Sequence, residues 1–405
     1  MKKQTITIAQ IKMLLIILFV GMTGAMGIDI YLPSLPALMS FLHANKVHMQ
    51  YSVTLYLLGF GVSMLVYGPL SDRHGRKPVV MTSLLVFSAI SFMTVFVHSI
   101  TVFLVIRLIQ GVSAGGCAGM GRTMTIDILN KEEHIPIRSY FSLIITISPL
   151  LAPVLGGYFQ HNFGWHASFI FLGALLLMLF IIYGLFCPET NQHKCQQSHL
   201  LKTAVTNYIL LLKHPLFIGA TLLSGIAMAV NMAFSTMSSF IFQLDFHLSP
   251  IVYGWICAIV ATGLVSGKIA SSLYVRRLGS VHSLRFGIFL LIGGGLILWL
   301  LSVIGIRSVP IVVCVIFFTV VAQPFIVTSS MAYALAPFTE RRGAAGAIYG
   351  CFQVVVAFAS TSIASSLPHE GVAQLGASYC LLGLIACVLF FGLVKGSVHL
   401  FLQTT

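Results

Sequence analysis

Charged residues are scarce in this sequence. Asp, Glu, Lys and Arg together make up 8% of the 405 residues, whereas about 25% is usual in a soluble domain. Hydrophobic residues make up 58%, and the mean hydropathy is +1.00. Many apolar segments are about 20 residues long, enough for a helix to cross ~30 Å of hydrocarbon. The composition therefore excludes an ordinary soluble protein and predicts an all-α polytopic membrane protein.

Sequence signals of cofactor chemistry are also missing. The eight cysteines are scattered, with no C-x-x-C pair and no metal-ligand spacing. There is no Walker-type phosphate loop and no soluble segment that could hydrolyse ATP. We therefore expect no enzyme activity, no metal and no cofactor. The net charge of +13 does not indicate a nucleic-acid partner, because the Lys and Arg residues lie between apolar segments and not on one soluble face.

The apolar segments predict twelve membrane spans. A polar stretch from Pro188 to Lys213 separates the first six spans from the last six. The predicted domains are therefore an N-terminal six-helix bundle at 1–187, a cytoplasmic linker at 188–213 and a C-terminal six-helix bundle at 214–405. The spans are expected near 11–32, 50–70, 79–97, 101–121, 138–160, 165–186, 215–240, 250–273, 282–304, 309–333, 343–366 and 372–394.

The positive charges predict the orientation in the membrane. If the N-terminus is cytoplasmic, then of the 22 Lys and Arg residues only Lys46 and Arg307 fall in outer loops, and only Arg107 falls inside a span. This distribution follows the positive-inside rule. Both termini are therefore expected in the cytoplasm of a bacterium, with the chain crossing the inner membrane many times.

The most highly charged short segment is the turn between the second and third spans, GPLSDRHGRKP from Gly68 to Pro78. Gly75 can adopt the positive φ of a sharp turn. A loop that only sets topology needs positive residues alone, and Asp72 adds nothing to that signal. The presence of Asp72 therefore favours a specific switch loop. The pattern G-x-L-x-D-R-x-G-R-K resembles the signature loop of the major facilitator superfamily.

This resemblance implies the major facilitator fold, in which twelve transmembrane helices form two pseudo-symmetric six-helix bundles with the substrate bound between them. It also implies that the loop joins moving helices on the cytoplasmic side. Asp127 follows the fourth span at the same face, so it is expected to pair with Arg73 or Arg76. The switch-loop residues are then Gly68, Asp72, Arg73, Gly75, Arg76 and Asp127.

Asp29 is the only acidic residue inside a predicted span. A carboxylate at membrane depth is costly unless it faces a cavity, so such a residue is usually functional. The alternative is an interfacial position, because Pro33 and Pro36 follow closely. The stretch DIYLPSLP that begins at Asp29 resembles the first-helix signature of the Bcr/CflA drug:proton antiporters. That resemblance implies that Asp29 is a membrane-embedded proton site.

Arg107 lies inside the fourth span and shares one helix face with Gln110 and Gly111. The pattern R-x-x-Q-G resembles a second superfamily motif, which implies a part in proton transfer. Asp29 lies at a comparable depth in the first span, so we expect Arg107 to influence its charge, directly or across the cavity. The alternative is an arginine that extends toward the interface and has only a topological role.

The fifth span carries a stripe of small residues and prolines at helical spacing, with Pro149, Pro153, Gly156 and Gly157 as its main members. Small residues let helices approach closely, and proline loosens the backbone hydrogen bonding. A general packing face would look similar. The stripe also resembles the antiporter motif of the superfamily, although Ala152 stands where glycine is usual, and this motif disfavours uptake by symport.

The substrate cavity is the least specified part of the prediction. Few polar groups lie within the spans, which favours a small lipophilic or amphiphilic substrate and a loosely fitting site. The candidate cavity residues are Tyr31, Tyr56, Gln110, Asn231, Met232, Phe234, Gln323, Phe352 and Gln353.

We interpret the sequence as a proton-coupled exporter of small lipophilic drugs or toxic compounds that works by alternating access and is driven by the proton gradient. An exporter of an endogenous metabolite or siderophore that uses the same mechanism is the alternative. A membrane scaffold without transport activity is disfavoured by Asp29 and Arg107. The expected partners are the substrate, protons and the lipid bilayer, and we expect a monomer.

Overall fold

The computed structural model describes residues 8–128, 147–191, 206, 209–338, 342–365 and 371–394. At 8, 9, 122, 123, 125–128, 342–344, 364 and 365 it describes the backbone alone. The described residues are almost entirely helical and contain no strand. Most of the predicted linker and the beginning of the predicted fifth span lie outside the described residues.

Twelve long helices occupy the described part of the chain. They are α1 Ile8–Asp29, α2 Lys46–His74, α3 Arg76–Thr94, α4 Ile100–Ile128, α5 Ser148–Phe163, α6 His166–Phe186, α7 Pro215–Phe240, α8 Pro250–Leu278, α9 Ser280–Ile304, α10 Val309–Leu335, α11 Arg342–Ser365 and α12 Gly371–Leu389. A 3-10 turn at Leu32–Ser34 and a short helix at Leu35–Phe41 follow α1. Short π-helical segments, Ile241–Asp245 and Phe390–Val394, end α7 and α12.

These helices confirm the predicted fold class. Eleven helices among the described residues are long and apolar enough to cross a membrane. The remaining one, α5, has 16 described residues and corresponds to the predicted fifth span. Each of the twelve predicted spans therefore has a helical counterpart in the described part of the chain.

The first helix ends earlier than the sequence predicts. Its last residue is Asp29, where the prediction was 32. Pro33 and Pro36 account for the difference, because proline lacks the N–H that would continue the helix and disfavours helical geometry in the residue before it. Asp29 therefore lies at the end of α1 and not inside it, next to a break in the backbone.

Several helices are longer than the predicted spans. Helices α2, α4 and α8 each have 29 residues, or ~43 Å at 1.5 Å per residue. That exceeds the ~30 Å hydrocarbon core. The predictions stopped where hydropathy falls, whereas the helices continue to local stop signals such as Gly75, which has a φ of 106°.

The helix pairs that pack together repeat after six helices. In the first half α1 packs on α4, α2 on α4, and α3 on α6. The equivalent pairs α7–α10, α8–α10 and α9–α12 pack in the second half. The two halves meet along two symmetry-related pairs, α5–α8 and α2–α11. The arrangement is that of two six-helix bundles with a site between them.

Candidate functional site

Arg107 is the largest side chain that is fully buried, and the protein supplies all of its partners. Its guanidinium donates hydrogen bonds to the carbonyl oxygens of Ser52 and Gly27, at 3.3 and 3.1 Å. Its Nη1 also donates to Gln110 Oε1 at 2.7 Å. The rings of Tyr31 and Tyr56 lie against the guanidinium, with centroids 4.1 and 4.4 Å from Cζ. Such cation–π contacts stabilise a desolvated cation.

The partners of Arg107 are themselves held in place. Gln110 Nε2 donates to Ser91 Oγ and Thr94 Oγ1 on α3. The Tyr31 hydroxyl is within 3.0 Å of Ser52 Oγ, and the Tyr56 hydroxyl donates to a backbone oxygen of α1 at 2.8 Å. Buried networks in which each polar group has a partner are rigid. Arg107 thus stands at the centre of a fixed junction of α1, α2, α3 and α4.

This junction holds the backbone on both sides of Asp29. Arg107 binds the carbonyl of Gly27, two residues before Asp29, and lies against the ring of Tyr31, two residues after it. No ion pair joins Arg107 to Asp29 in the described structure. The direct charge contact between these two residues is therefore absent here, and Arg107 instead positions the end of α1.

Asp29 faces the space between the two halves. Its side chain is 8% exposed, and among the described residues its carboxylate has neither a hydrogen bond nor an ion pair. It lines a small cleft. Helices α1, α5, α7 and α8 form this cleft through Asp29, Leu32, Pro149, Pro153, Asn231, Phe234, Ser235, Cys257, Val260, Ala261 and Leu264.

The stripe on α5 packs closely on both halves. A side chain at Gly156 would overlap the carbonyl oxygen of Ile30, and one at Gly157 would overlap that of Pro250. From the other half, Gly254 of α8 packs on the backbone of Pro153. Backbone atoms cannot move aside as a flexible side chain can. The glycines therefore allow α5 to lie between α1 and α8, while Pro149 and Pro153 face the cleft.

One end of the cleft is closed by hydrogen bonds between the halves, and we name it the Gln243 end. Ser239 Oγ donates to the Leu32 carbonyl at 2.7 Å, and Gln243 Nε2 donates to the Pro33 carbonyl at 3.0 Å. Pro36 has no N–H, so the Leu32 carbonyl accepts locally from the N–H of Leu35 and not from an i+4 donor. The hydroxyl of Ser239 supplies a donor from the opposite half.

The opposite end of the bundle, which we name the Asp72 end, carries the turn between α2 and α3. Gly75 has the positive φ that the sequence predicts, 106°. Arg76 Nη1 donates to Ser71 Oγ at 2.6 Å and forms an ion pair with Asp72 at 2.9 Å. The Asp72 side chain is 47% exposed, so water screens this pair.

The segment after α6 forms hydrogen bonds that hold this turn in place. Glu189 accepts hydrogen bonds from the backbone N–H groups of Arg76 and Lys77, at 2.8 and 3.1 Å. A carboxylate at a helix N-terminus satisfies donors that the helix leaves open. Asn191 Nδ2 donates to the carbonyls of Ser71 and Asp72. The turn is thus bonded to α6 of its own half.

The remaining switch-loop residues have fewer described contacts. Arg73 is exposed. A Cβ at Gly68 would have no atom within 4 Å, whereas one at Gly61, two turns earlier on α2, would press on Val354 of α11. The side chain of Asp127 lies outside the described residues, so its pairing with Arg73 or Arg76 stays a prediction.

The structure divides the candidate cavity residues into three groups. Asn231 and Phe234 line the cleft beside Asp29. Tyr31, Tyr56 and Gln110 are buried in the Arg107 junction, behind the cleft wall. The other candidates do not line this cleft: Met232 is buried in the core, Phe352 and Gln323 are partly buried, and Gln353 donates to Ser224 Oγ at 3.0 Å.

Four residues at the site were not predicted as functional. Ser235 and Cys257 line the cleft, and Ser239 and Gln243 close one end of it. Serines and cysteines in apolar spans are usually packing residues, so single positions give no signal. The recurrence of polar residues every four positions from Asn231 to Gln243 is a signal that could have found three of them.

Comparison with known proteins agrees with this geometry. The family model of the Major Facilitator Superfamily matches residues 17–361. A bicyclomycin resistance protein homolog from Haemophilus influenzae is 23% identical over 355 residues, covering 88% of this chain and 89% of the relative. Multidrug resistance protein D from Escherichia coli is 27% identical over 399 residues, covering 96% and 97%.

Solved structures show the same fold at low sequence identity. The crystal structure of a D-xylose–proton symporter has a TM-score of 0.75 at 13% identity, covering 95% of this chain and 99% of that one. The nucleoside transporter NupG has a TM-score of 0.72 at 16% identity, covering 94% and 98%. With the family match over most of its length, the chain belongs to the Major Facilitator Superfamily and is a multi-pass membrane transporter, not an enzyme.

Proposed function

We propose that this transporter exports small lipophilic compounds in exchange for protons, by alternating access of the cleft between its two halves. The observation that carries the proposal is Asp29: a buried carboxylate without a described partner that faces the cleft. A charged group in such a place is unfavourable unless a proton or a ligand neutralises it. One carboxylate can therefore serve both the proton and the substrate.

Competition between the proton and the substrate for Asp29 would couple their movements in opposite directions. The protonated carboxyl group is neutral and fits the largely apolar cleft. Once the proton leaves, the carboxylate favours a substrate that brings a polar or positively charged group. If either occupant permits the halves to change conformation and the empty carboxylate does not, inward proton movement drives outward substrate movement.

The contacts between the halves support alternating access. The Gln243 end is closed by two hydrogen bonds and by the close packing of α5 on α8. The hydrogen bonds are polar and the packing of α5 on α8 passes through glycines, so these contacts can form and break as rigid bundles move. We propose that the Asp72 end faces the cytoplasm, in accordance with the distribution of Lys and Arg along the sequence.

The names of the similar proteins support an export function. The relatives in Haemophilus influenzae and Escherichia coli are named for resistance to bicyclomycin and to multiple drugs. Resistance of this kind fits export of toxic compounds from the cell. The small apolar cleft, with one carboxylate, fits compounds that are largely apolar.

The test is uphill transport in everted membrane vesicles that contain the protein and are acidified inside. We expect the wild-type protein to accumulate ethidium against its gradient and Asp29→Asn to accumulate none, although both insert in the membrane. Glu133→Gln is the matched control, since the sequence places this carboxylate between spans. Accumulation by Asp29→Asn at the wild-type rate would overturn the proposal.

A further inference from the structure

A polar stripe runs along one face of α7 and of the π-helical segment that ends it. Its members are Ser224, Asn231, Ser235, Ser239 and Gln243, separated by seven residues and then by four each time. Residues four apart lie on the same helix face. In a helix that crosses a membrane, such a stripe is costly unless each group has a partner.

The beginning of the stripe is satisfied within the second half. Ser224 Oγ accepts hydrogen bonds from the Tyr349 hydroxyl at 2.6 Å and from Gln353 Nε2 at 3.0 Å. Both donors belong to α11. Ser224 is therefore part of the packing between α7 and α11.

The far end of the stripe is satisfied by the first half. Ser239 and Gln243 donate to the backbone carbonyls of Leu32 and Pro33. Gln243 Nε2 also donates to Ser239 Oγ at 2.8 Å. Both of these residues act in closing the Gln243 end.

The two middle members differ from the others. Asn231 and Ser235 have no hydrogen-bond partner among the described residues. Both line the cleft that Asp29 lines, and Ser235 is 4% exposed. Asn231 is partly buried, and polar side chains that face a cleft without a protein partner can accept one from a ligand or water.

We propose that Asn231 and Ser235 form the hydrogen-bonding part of the substrate site, opposite Asp29, and thereby determine specificity. They select compounds that carry an amine, amide or hydroxyl group on a largely apolar body. This inference rests on the proposed export function and adds to it the chemical class of the substrate and the residues that recognise it.

The other walls of the cleft restrict the class further. Leu32, Phe234, Val260, Ala261 and Leu264 are apolar, which leaves few groups for a highly polar solute. No Lys, Arg or His lines the cleft in the described structure, and Asp29 does. Anionic compounds are thus excluded by charge, and compounds without a hydrogen-bonding group gain nothing from Asn231 and Ser235.

Two permanent cations test this selection, because they share a charge and an apolar body. Ethidium carries two aromatic amino groups that donate hydrogen bonds, whereas tetraphenylphosphonium has none. We expect purified wild-type protein, without a pH gradient, to bind ethidium more tightly than tetraphenylphosphonium. In Asn231→Leu/Ser235→Ala we expect ethidium affinity to fall ~10-fold, the effect of two uncharged hydrogen bonds. Affinity for tetraphenylphosphonium should stay within about 2-fold.

Ser224→Ala is the matched control, since it removes a hydroxyl from the same stripe outside the cleft. It should leave the ratio of the two affinities at the wild-type value. Ser235→Ala alone removes a single oxygen atom and should lower ethidium affinity by a smaller factor. This variant keeps the test decisive if the double variant does not fold.

Three results would overturn the inference: the double variant binds both probes as the wild type does, it loses both equally, or the wild-type protein binds neither. The measurement needs no proton coupling. An absence of uphill transport would therefore overturn the proposed function, and the binding measurements would still be valid. If the double variant and the wild type had the same affinities, the inference would fail, and the antiport test would still be valid.

Discussion

Arg107 and Asp29 are both buried in the first half, yet their surroundings differ. Arg107 has three hydrogen bonds and two aromatic faces around it. Asp29 has no described partner and faces a cleft. A buried charge held by several hydrogen bonds and two rings is fixed, whereas one without a described partner is available to exchange partners. The contrast supports the proposal that Asp29 couples transport to protons, whereas Arg107 holds the surrounding helices in place.

Arg107→Lys is expected to have the largest effect among the variants that test this contrast. Lysine keeps the charge but loses the planar fork that binds two carbonyls and lies between two rings. Because it leaves buried acceptors without donors, we expect it to lower the free energy of unfolding by about 3 kcal/mol or more. Thermal unfolding of the purified protein measures this.

The matched comparison for Arg107→Lys is Asp29→Asn, which should unfold within a few degrees of the wild-type protein. If Arg107→Lys were as stable as wild type and kept its pH dependence of transport while Arg107→Ala shifted it, then charge tuning of Asp29 would be the role of Arg107, as the sequence first suggested.

The sequence predicted the helices, but not the surroundings of Arg107. Hydropathy and residue counting give the depth of a side chain in the membrane and say little about the direction in which it points. Asp29 and Arg107 were thus expected to interact because their depths are comparable. Tyr31 and Tyr56 were expected in the cavity because they are polar and lie within spans, whereas both stack on Arg107.

The contacts that close the cleft were even harder to predict from the sequence. The hydrogen bonds from Ser239 and Gln243 cross more than 200 residues of chain to reach backbone carbonyls, and carbonyls carry no sequence signal. What makes them available is local: Pro33 and Pro36 interrupt the helix after Asp29. The sequence could predict the break, and only the packed structure identifies the side chains that fill it.

Gly156→Ala is expected to have the second-largest effect, because the new Cβ would overlap the Ile30 carbonyl next to Asp29. We expect transport to fall at least ~10-fold, since a displacement of about 1 Å can be this costly at a functional site. Gly293→Ala in α9 is the control, as its Cβ would have no atom within 4 Å. Equal transport by both variants would show that close packing of α5 on α1 is unimportant.

Gln243→Leu should have a moderate effect. It removes one hydrogen bond that closes the Gln243 end, worth ~1 kcal/mol, which corresponds to about a 5-fold shift in a conformational equilibrium. Labelling of single cysteines placed at the two ends of the cleft would report it as greater access at the Gln243 end. Unchanged labelling at both ends would show that Gln243 does not contribute to closing the cleft.

The smallest effect is expected for Asp72→Asn. Its pair with Arg76 is half exposed and is worth only ~0–1 kcal/mol. We expect ethidium binding to be unchanged and turnover to be slower by about 2- to 5-fold, measured as the initial rate in everted vesicles. A loss of ethidium binding would show that the turn acts on the cleft and not on the change of conformation.

Proton release on ligand binding tests the central claim most directly. Purified protein in a weakly buffered detergent solution is mixed with ethidium at a series of pH values, and the change in proton concentration is recorded. The account predicts that the wild-type protein releases up to one proton per molecule, since ethidium and the proton share Asp29. It predicts that Asp29→Asn, at ethidium concentrations that give equal occupancy, releases none. Equal release by both proteins would contradict it.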